Sequence, residues 1–217
     1  MSASEGGQPS NAPLVIRVVG LPGSLRASST TRMAIRCALL GAEEDGARTH
    51  LLDLAAYDLP FLGREHEPPS RKALERFLAD IRAADGMIWG SPEIHGSFSG
   101  VLKNALDLTS VGDFEGKMVG LIGVAGGEMG AGETLSHLRA IGRALHAWVV
   151  PIQVSIADSK QAFDSRGEPL DERVAHRLNA VGRQVAHFAR LHKCENHLQF
   201  VKEWQGAANH EGTNAVR

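Results

Sequence analysis

The chain has 217 residues, 43% of them hydrophobic, with 23 basic and 25 acidic side chains and a formal charge of −2. That length suits one substantial core, and the near-neutral balance removes the electrostatic case for a nucleic acid or an anionic membrane as partner, which points to a small molecule. Only two cysteines occur, Cys37 and Cys194, without CxxC or metal spacing, so the expected compartment is a reducing cytoplasm.

In chain order, residues 1–13 are polar and rich in Gly, Ser and Pro, with neither a basic nor an apolar signal region, and are expected to form a disordered leader. Apolar, β-branched runs predict strands at 14–20, 47–54, 86–91, 117–125 and 147–156. Between and after them, apolar residues spaced by three and four predict helices at 31–45, 70–84, 99–108, 132–147 and 170–192. The stripe Leu74, Phe77, Leu78, Ile81 reads as the core face of the second helix. No apolar run approaches the roughly 20 residues that span a bilayer. Residues 194–217 read as a tail with a short amphipathic piece around Phe200 and Trp204. Strict βα alternation resolves most simply as a doubly wound α/β domain over 14–193, a parallel sheet with helices on both faces.

In such a sheet ligands bind beyond the carboxyl ends of the strands, which directs attention to the loops after strands one, three and four. The first, GSLRASSTT, places Ser24, Ser28, Ser29, Thr30 and Thr31 at a helix start, where hydroxyls and unpaired N–H groups suit an anion such as phosphate. Arg26 adds a permanent charge able to pair with phosphate oxygens. The loop lacks both GxGxxG and GxxxxGK[ST], which disfavours a dinucleotide site and a Walker site. The competing reading is a hydroxyl-rich helix cap with an incidental arginine. The second loop, SPEIHGSFSG, turns tightly between Pro92 and Gly96, can cap the next helix with Ser97 or Ser99, and can show backbone groups to a planar heterocycle. The third, GVAGGEMGAGE, carries Gly126, Gly127, Gly130 and Gly132, which allow close backbone approach to a ligand.

Together GSLRASSTT, SPEIHGSFSGVLKNALDL and GVAGGEMGAGETLSHLRAIGRALHAWVVP resemble the three signature loops of the NADPH-dependent FMN reductase family, over about residues 14–192. The resemblance implies a flavodoxin-like sheet of order 2-1-3-4-5 holding FMN without a covalent bond. It further implies ping-pong hydride transfer from NADPH or NADH to FMN and on to a small electron acceptor (flavin, quinone, azo dye or chromate). It also implies a homodimer or homotetramer. Carried over by position, Ser24, Arg26, Ser29, Thr30 and Thr31 bind the phosphate, the turn of Pro92, Glu93, Ile94, His95, Gly96 and Ser97 follows the isoalloxazine, and Gly126 and Gly127 meet its pyrimidine end. No side chain is assigned a catalytic role, since the flavin carries the chemistry. The family commonly has tyrosine and asparagine where this chain has Ile94 and His95. An alternative is a flavodoxin-like electron carrier without a nicotinamide site, against which the slight charge of −2 argues. A third is a nucleotide-binding regulatory domain.

Other candidates read as structural. His192, Cys194 and His197 are taken as a solvated helix end rather than a metal site, His66 as a loop residue, and Lys103 and Asn104 as structural.

Overall fold

The computed structural model describes residues 14–64 and 68–193, so the leader, His66 and the tail with Cys194 and His197 lie outside the described residues. The elements run β1 (Arg17–Pro22), α1 (Thr30–Glu44), β2 (Arg48–Leu51), a 3-10 turn (Leu54–Ala56), α2 (Pro68–Ala83), β3 (Gly86–Pro92), α3 (Gly100–Asp107) and α4 (Val111–Phe114). They continue with β4 (Met118–Val124), α5 (Gly132–Ala144), β5 (Trp148–Ile156), a second 3-10 turn (Ser159–Gln161) and α6 (Glu172–His192). The five strands form one parallel sheet in the order β2-β1-β3-β4-β5, the expected doubly wound α/β arrangement.

The strands read as continuous apolar runs because both faces are covered. Successive residues feed opposite sides. Val18, Ile88 and Ile122 pack with Ile35 and Ala38 of α1 and Val181 and Val185 of α6. Val19, Trp89 and Leu121 pack with Phe77 and Ile81 of α2, Leu102 of α3, Phe114 of α4 and Leu138 of α5. Phe77 and Ile81 are fully buried and Leu74 and Leu78 pack beside them, as their spacing predicts. No helix among the described residues is long and apolar enough to cross a membrane.

The expected boundaries shift where local hydrogen bonds intervene. Residues 47–54 do not form one strand: β2 stops at Leu51, and Asp53 accepts the Ala55 N–H at 3.1 Å and starts the 3-10 turn. Helix α5 ends at Ala144 rather than 147, because His146 turns left-handed at φ 58°. Helix α4 is unforeseen, being a single turn too short for periodicity to register. It is held by Asp113, a nearly buried carboxylate (4% exposed) that accepts from Ser110 N and Ser110 Oγ at 2.8 Å and from Arg82 Nε at 2.7 Å.

Burial pushes the Asp113 carboxyl up, but the Ser110 and Arg82 donors outweigh it and hold it below its ordinary value. A carboxylate depressed by folding contributes stability that is present above its unfolded pKa and lost as pH falls through the folded value. Asp113→Asn should therefore cost about 1.5–3 kcal/mol at neutral pH. Denaturant midpoints of parent and variant should converge as the buffer is taken below about pH 4; a gap that persists in acid would show that packing, not charge, anchors α4.

Candidate functional site at the carboxyl edge of the sheet

The carboxyl ends of β1, β3, β4 and β5 converge on a cavity of about 590 Å³, within the usual range for ligand sites. One end is polar. Ser29 is the N-cap of α1 and its Oγ accepts the Arg32 N–H at 3.1 Å, which leaves its own O–H free to donate. Thr30 and Thr31 are the first two helical residues, whose N–H groups precede the intrahelical ladder. Ser24, Arg26 and Ser28 complete this end from the loop, and Lys160 adds a second cation from the 3-10 turn after β5. Among the described residues neither Arg26 nor Lys160 has a carboxylate partner.

Arg32 sets the loop's conformation. Its Nη1 donates to the carbonyls of Arg26 at 3.0 Å and Ala27 at 2.8 Å, and its Nη2 donates to Asp53 Oδ1 at 3.1 Å. The Nε lies 2.9 Å from Asp53 Oδ2, an electrostatic contact that is not aligned as a hydrogen bond. With two loop carbonyls so engaged, the clamp fixes the backbone that leads into the α1 N-terminus.

The other end of the cavity is formed by Pro92, Glu93, Ile94, Val124, Gly126 and Phe163. The turn after β3 is a two-residue hairpin: Ile94 and Ser97 exchange backbone hydrogen bonds at 2.7 and 3.1 Å, and His95 and Gly96 both have positive φ, 51° and 75°. That is a type I′ turn, whose central positions favour Asn-Gly because both must be left-handed. Histidine is among the few non-glycine residues enriched in that region. His95 is thus chosen by the backbone; its imidazole is exposed. Glu93 pins the hairpin by accepting the Thr134 N–H, at the start of α5, at 3.2 Å.

A second cavity of about 380 Å³ adjoins the first, sharing Glu93 and Gly126 and adding His95, Gly96 and Gly127. At Gly126 and at Gly127 an added Cβ would have no atom within 4 Å, so this wall is open to a ligand. Of the residues read from the sequence, Ser24, Arg26, Ser29, Thr30, Thr31, Pro92, Glu93, Ile94 and Gly126 line the first cavity. His95, Gly96 and Gly127 line the second, and Ser97 lines neither. Ser97 instead places its Oγ 2.9 Å from His137 Nδ1, and Ser99, not Ser97, caps α3 by accepting the Leu102 N–H at 3.2 Å. The Thr30 hydroxyl is directed to the Ser159 carbonyl at 3.4 Å, which leaves its N–H as the group facing an anion.

The loops are tied to one another. Gly23 N donates to Gly90 O at 2.7 Å, Ser99 Oγ to Gly23 O at 2.6 Å, and Ser99 N to Ser91 Oγ at 2.9 Å. Glu93 N donates to Val124 O, Ala125 N to Ile156 O and Asp158 N to Gly127 O. Sequence reading passed over Ser91, Lys160, Phe163 and Asp164. The last three follow β5, and the rule that directs attention to strand ends applies there as much as after β1, β3 and β4.

The arrangement argues against nucleophilic chemistry. Burial, with help from Glu168, pushes the Cys37 thiol up to about 11, so it is not a thiolate at neutral pH. The Ser97–His137 pair lacks a carboxylate to orient the ring among the described residues, and His137 meets Phe98 edge-on at 6.2 Å. No cluster of three metal-binding side chains occurs among the described residues. A cavity with cations and N–H groups at one end and apolar and backbone walls at the other suits a phosphorylated planar heterocycle.

Residues 16–161 match the family described as NADPH-dependent FMN reductase. The chain belongs to that family. FMN is accordingly its cofactor and NADPH its co-substrate, as the loop resemblance implied. An FMN-dependent NADPH-azoreductase of Staphylococcus aureus (strain USA300) is 37% identical over 149 residues, which is 67% of this chain and 79% of the relative. Among solved structures, FerB, a flavoenzyme NAD(P)H:(acceptor) oxidoreductase from Paracoccus denitrificans, has a TM-score of 0.69 at 23% identity, covering 82% of this chain and 99% of FerB. RosB, solved with bound 8-demethyl-8-formylriboflavin-5'-phosphate, has a TM-score of 0.70 at 16% identity, covering 94% and 90%. At those identities the two structures speak for the fold, a flavodoxin-like sheet. The FMN reductase family's usual tyrosine-asparagine pair is Ile94-His95 here, and the type I′ turn explains why asparagine can give way to histidine without loss of the backbone.

Proposed function

We propose that this chain reduces small acceptors (free flavin, a quinone, an azo dye or chromate) at the expense of NADPH or NADH in a ping-pong cycle, as a cytoplasmic homodimer or homotetramer. The observation that carries the reading is the pairing of a cationic, N–H-rich end with an apolar, glycine-walled end in one cavity, beside a second open cavity. FMN, once held in this cavity, would supply the hydride-transfer chemistry between the reduced nicotinamide and the acceptor.

The chain's own residues bind and position. Arg26 and Lys160, the hydroxyls of Ser24, Ser28 and Ser29, and the N–H groups of Thr30 and Thr31 take the phosphate. The hairpin from Pro92 to Gly96 and the backbone at Gly126 and Gly127 would hold the ring system, and the Ile94 side chain would shield it from water. Glu93 holds the hairpin against α5. The adjoining cavity gives nicotinamide and acceptor a place to arrive in turn, which favours an oxidoreductase over an electron carrier. The test is anaerobic: protein loaded with FMN should bleach on adding NADPH and regain its colour when a quinone or azo dye follows. FMN bound without bleaching would make the chain a carrier instead, and equal affinity for FMN and riboflavin would remove the phosphate site.

His95 invites assignment as an acid or base because imidazole is the side chain most often used for proton transfer and it lies in the turn. Its left-handed backbone and exposed ring assign it to the turn instead. His95→Asn should keep the rate of flavin reduction within about tenfold, roughly 1.4 kcal/mol of barrier. His95→Ala, which must hold the same φ without asparagine's preference, should lose about 1–2 kcal/mol of stability. Stopped-flow reduction between pH 6 and 9 decides the point. A thousandfold fall in His95→Asn, or an ionisation that this variant abolishes, would make His95 an acid–base group.

A further inference from the structure

At the opposite end of the sheet, where β5 begins, lies an apolar groove of about 510 Å³ lined by Trp148, Val150, Pro151, Phe188, Leu191 and His192. Trp148 and Leu191 are 52% and 51% exposed, side by side on the edge strand and the last turn of α6. Scattered exposed apolar residues need no explanation, but two large ones on a concave apolar surface do.

β5 is an edge strand, and edges invite pairing with another strand. Here that mode is blocked. The β4–β5 register slips so that the step from Val119 to Leu121 faces the step from Val149 to Gln153, a bulge that contains Pro151, which has no N–H to offer. The neighbouring backbone groups are engaged by side chains: Arg139 Nη2 donates to Val150 O at 3.3 Å, Gln184 Oε1 accepts from Ile152 N at 3.4 Å, and Arg177 Nη2 donates to Gln153 O at 2.8 Å. An occupant of the groove must therefore enter through apolar side chains rather than as an added strand.

We propose that the occupant is residues 198–204 of the same chain. Helix α6 delivers the chain to the rim: Leu191 and His192 line the groove, and Lys193 is held by an ion pair to Asp85 at 2.6 Å. Leu198 is five residues beyond Lys193, within a reach of about 17 Å. In the polar sequence after Lys193, the large apolar side chains gather at Leu198, Phe200, Val201 and Trp204. Tethering gives such a segment an effective concentration of order millimolar, so a small apolar contact suffices. A second copy would need about 800 Å² from each partner, more than a groove of this size offers. Docked there, the segment ties the end of α6 to the start of β5 and covers Trp148.

Fluorescence tests the proposal in full-length, FMN-loaded protein. In Trp148→Phe the emission comes from Trp89, which is fully buried, and Trp204. Emission should be blue-shifted and little quenched by acrylamide. Adding Leu191→Asp, at the groove, should red-shift it and raise quenching severalfold, whereas Leu170→Asp, equally exposed but elsewhere, should not. Sedimentation should give the same mass for all three proteins. On the unsubstituted chain, amide exchange over 198–204 should be slower than over 205–217. Free quenching of Trp204 with no response to Leu191→Asp, together with equal exchange in the two segments, would overturn the proposal. So would protection that vanishes on dilution as the mass falls, since the occupant would then be another copy.

Discussion

Replacing both Arg26 and Lys160 by alanine should weaken FMN by about 3 kcal/mol, more than a hundredfold, and leave riboflavin almost untouched. Each cation contributes through a charged hydrogen bond of about 1.5–3 kcal/mol, and the low end applies because both side chains are exposed and screened by salt. Both line the polar end of the cavity, Arg26 from the loop after β1 and Lys160 from the turn after β5. Neither has another anion to satisfy among the described residues. Single substitutions should each cost about half as much, since well-separated contacts are nearly additive. Titration with both ligands at two salt concentrations is the measurement. An equal loss for riboflavin would mean that the pair shapes the cavity rather than reading the phosphate, and unchanged FMN affinity would place the phosphate elsewhere.

Gly182→Ala should have a comparably large effect on the fold. A Cβ at Gly182 would lie 1.7 Å from Ala38 O and 2.8 Å from Ala42 N, and one at Gly41 would lie 2.2 Å from Asn179 O. These are backbone atoms of α1 and α6, so no side-chain rotation can make room and the helices must separate. Overpacking costs about 1–3 kcal/mol where side chains can yield, and here the upper end or beyond is expected. For a domain of this size 3 kcal/mol lowers the midpoint by roughly 6–12 °C. FMN affinity should fall as well, because α1 carries Thr30 and Thr31 into the cavity. Gly112→Ala, whose Cβ would meet only Ser110 Oγ at 3.9 Å, serves as the control and should leave the midpoint unchanged or raise it. A melting curve for Gly182→Ala that overlays the parent would show that the helices can ride apart freely.

The sheet was legible because its strands are buried on both faces and therefore spelled as apolar runs, and because every crossover is a helix with regular spacing. The hydroxyl-rich start of α1 was legible for a similar reason: Ser29 and Thr31 sit where helix-start chemistry demands them. What stayed hidden depends on contacts between segments distant in sequence. Lys160 looks like any surface lysine until Thr30 draws the turn after β5 against α1. Arg32 looks like a helix residue until Asp53, 21 positions on, fixes its guanidinium beneath the loop. His95 was legible as a residue of interest but not as a turn residue, because the left-handed φ that selects it appears only once Ile94 and Ser97 are seen to pair.

The hydrogen bonds that run from loop to loop across the carboxyl edge, Gly23 to Gly90, Ser99 to Gly23, Glu93 to Val124, Ala125 to Ile156 and Asp158 to Gly127, are all internal to the protein. None of them waits for a ligand. The shape of the cavity is therefore set by the chain's own bonds, and little conformational freedom remains to be surrendered when a ligand binds. Selectivity follows from this stiffness: a rigid, flat molecule with one charged end loses little on entry, whereas a flexible one of equal polarity must give up its own freedom against walls that do not move to meet it.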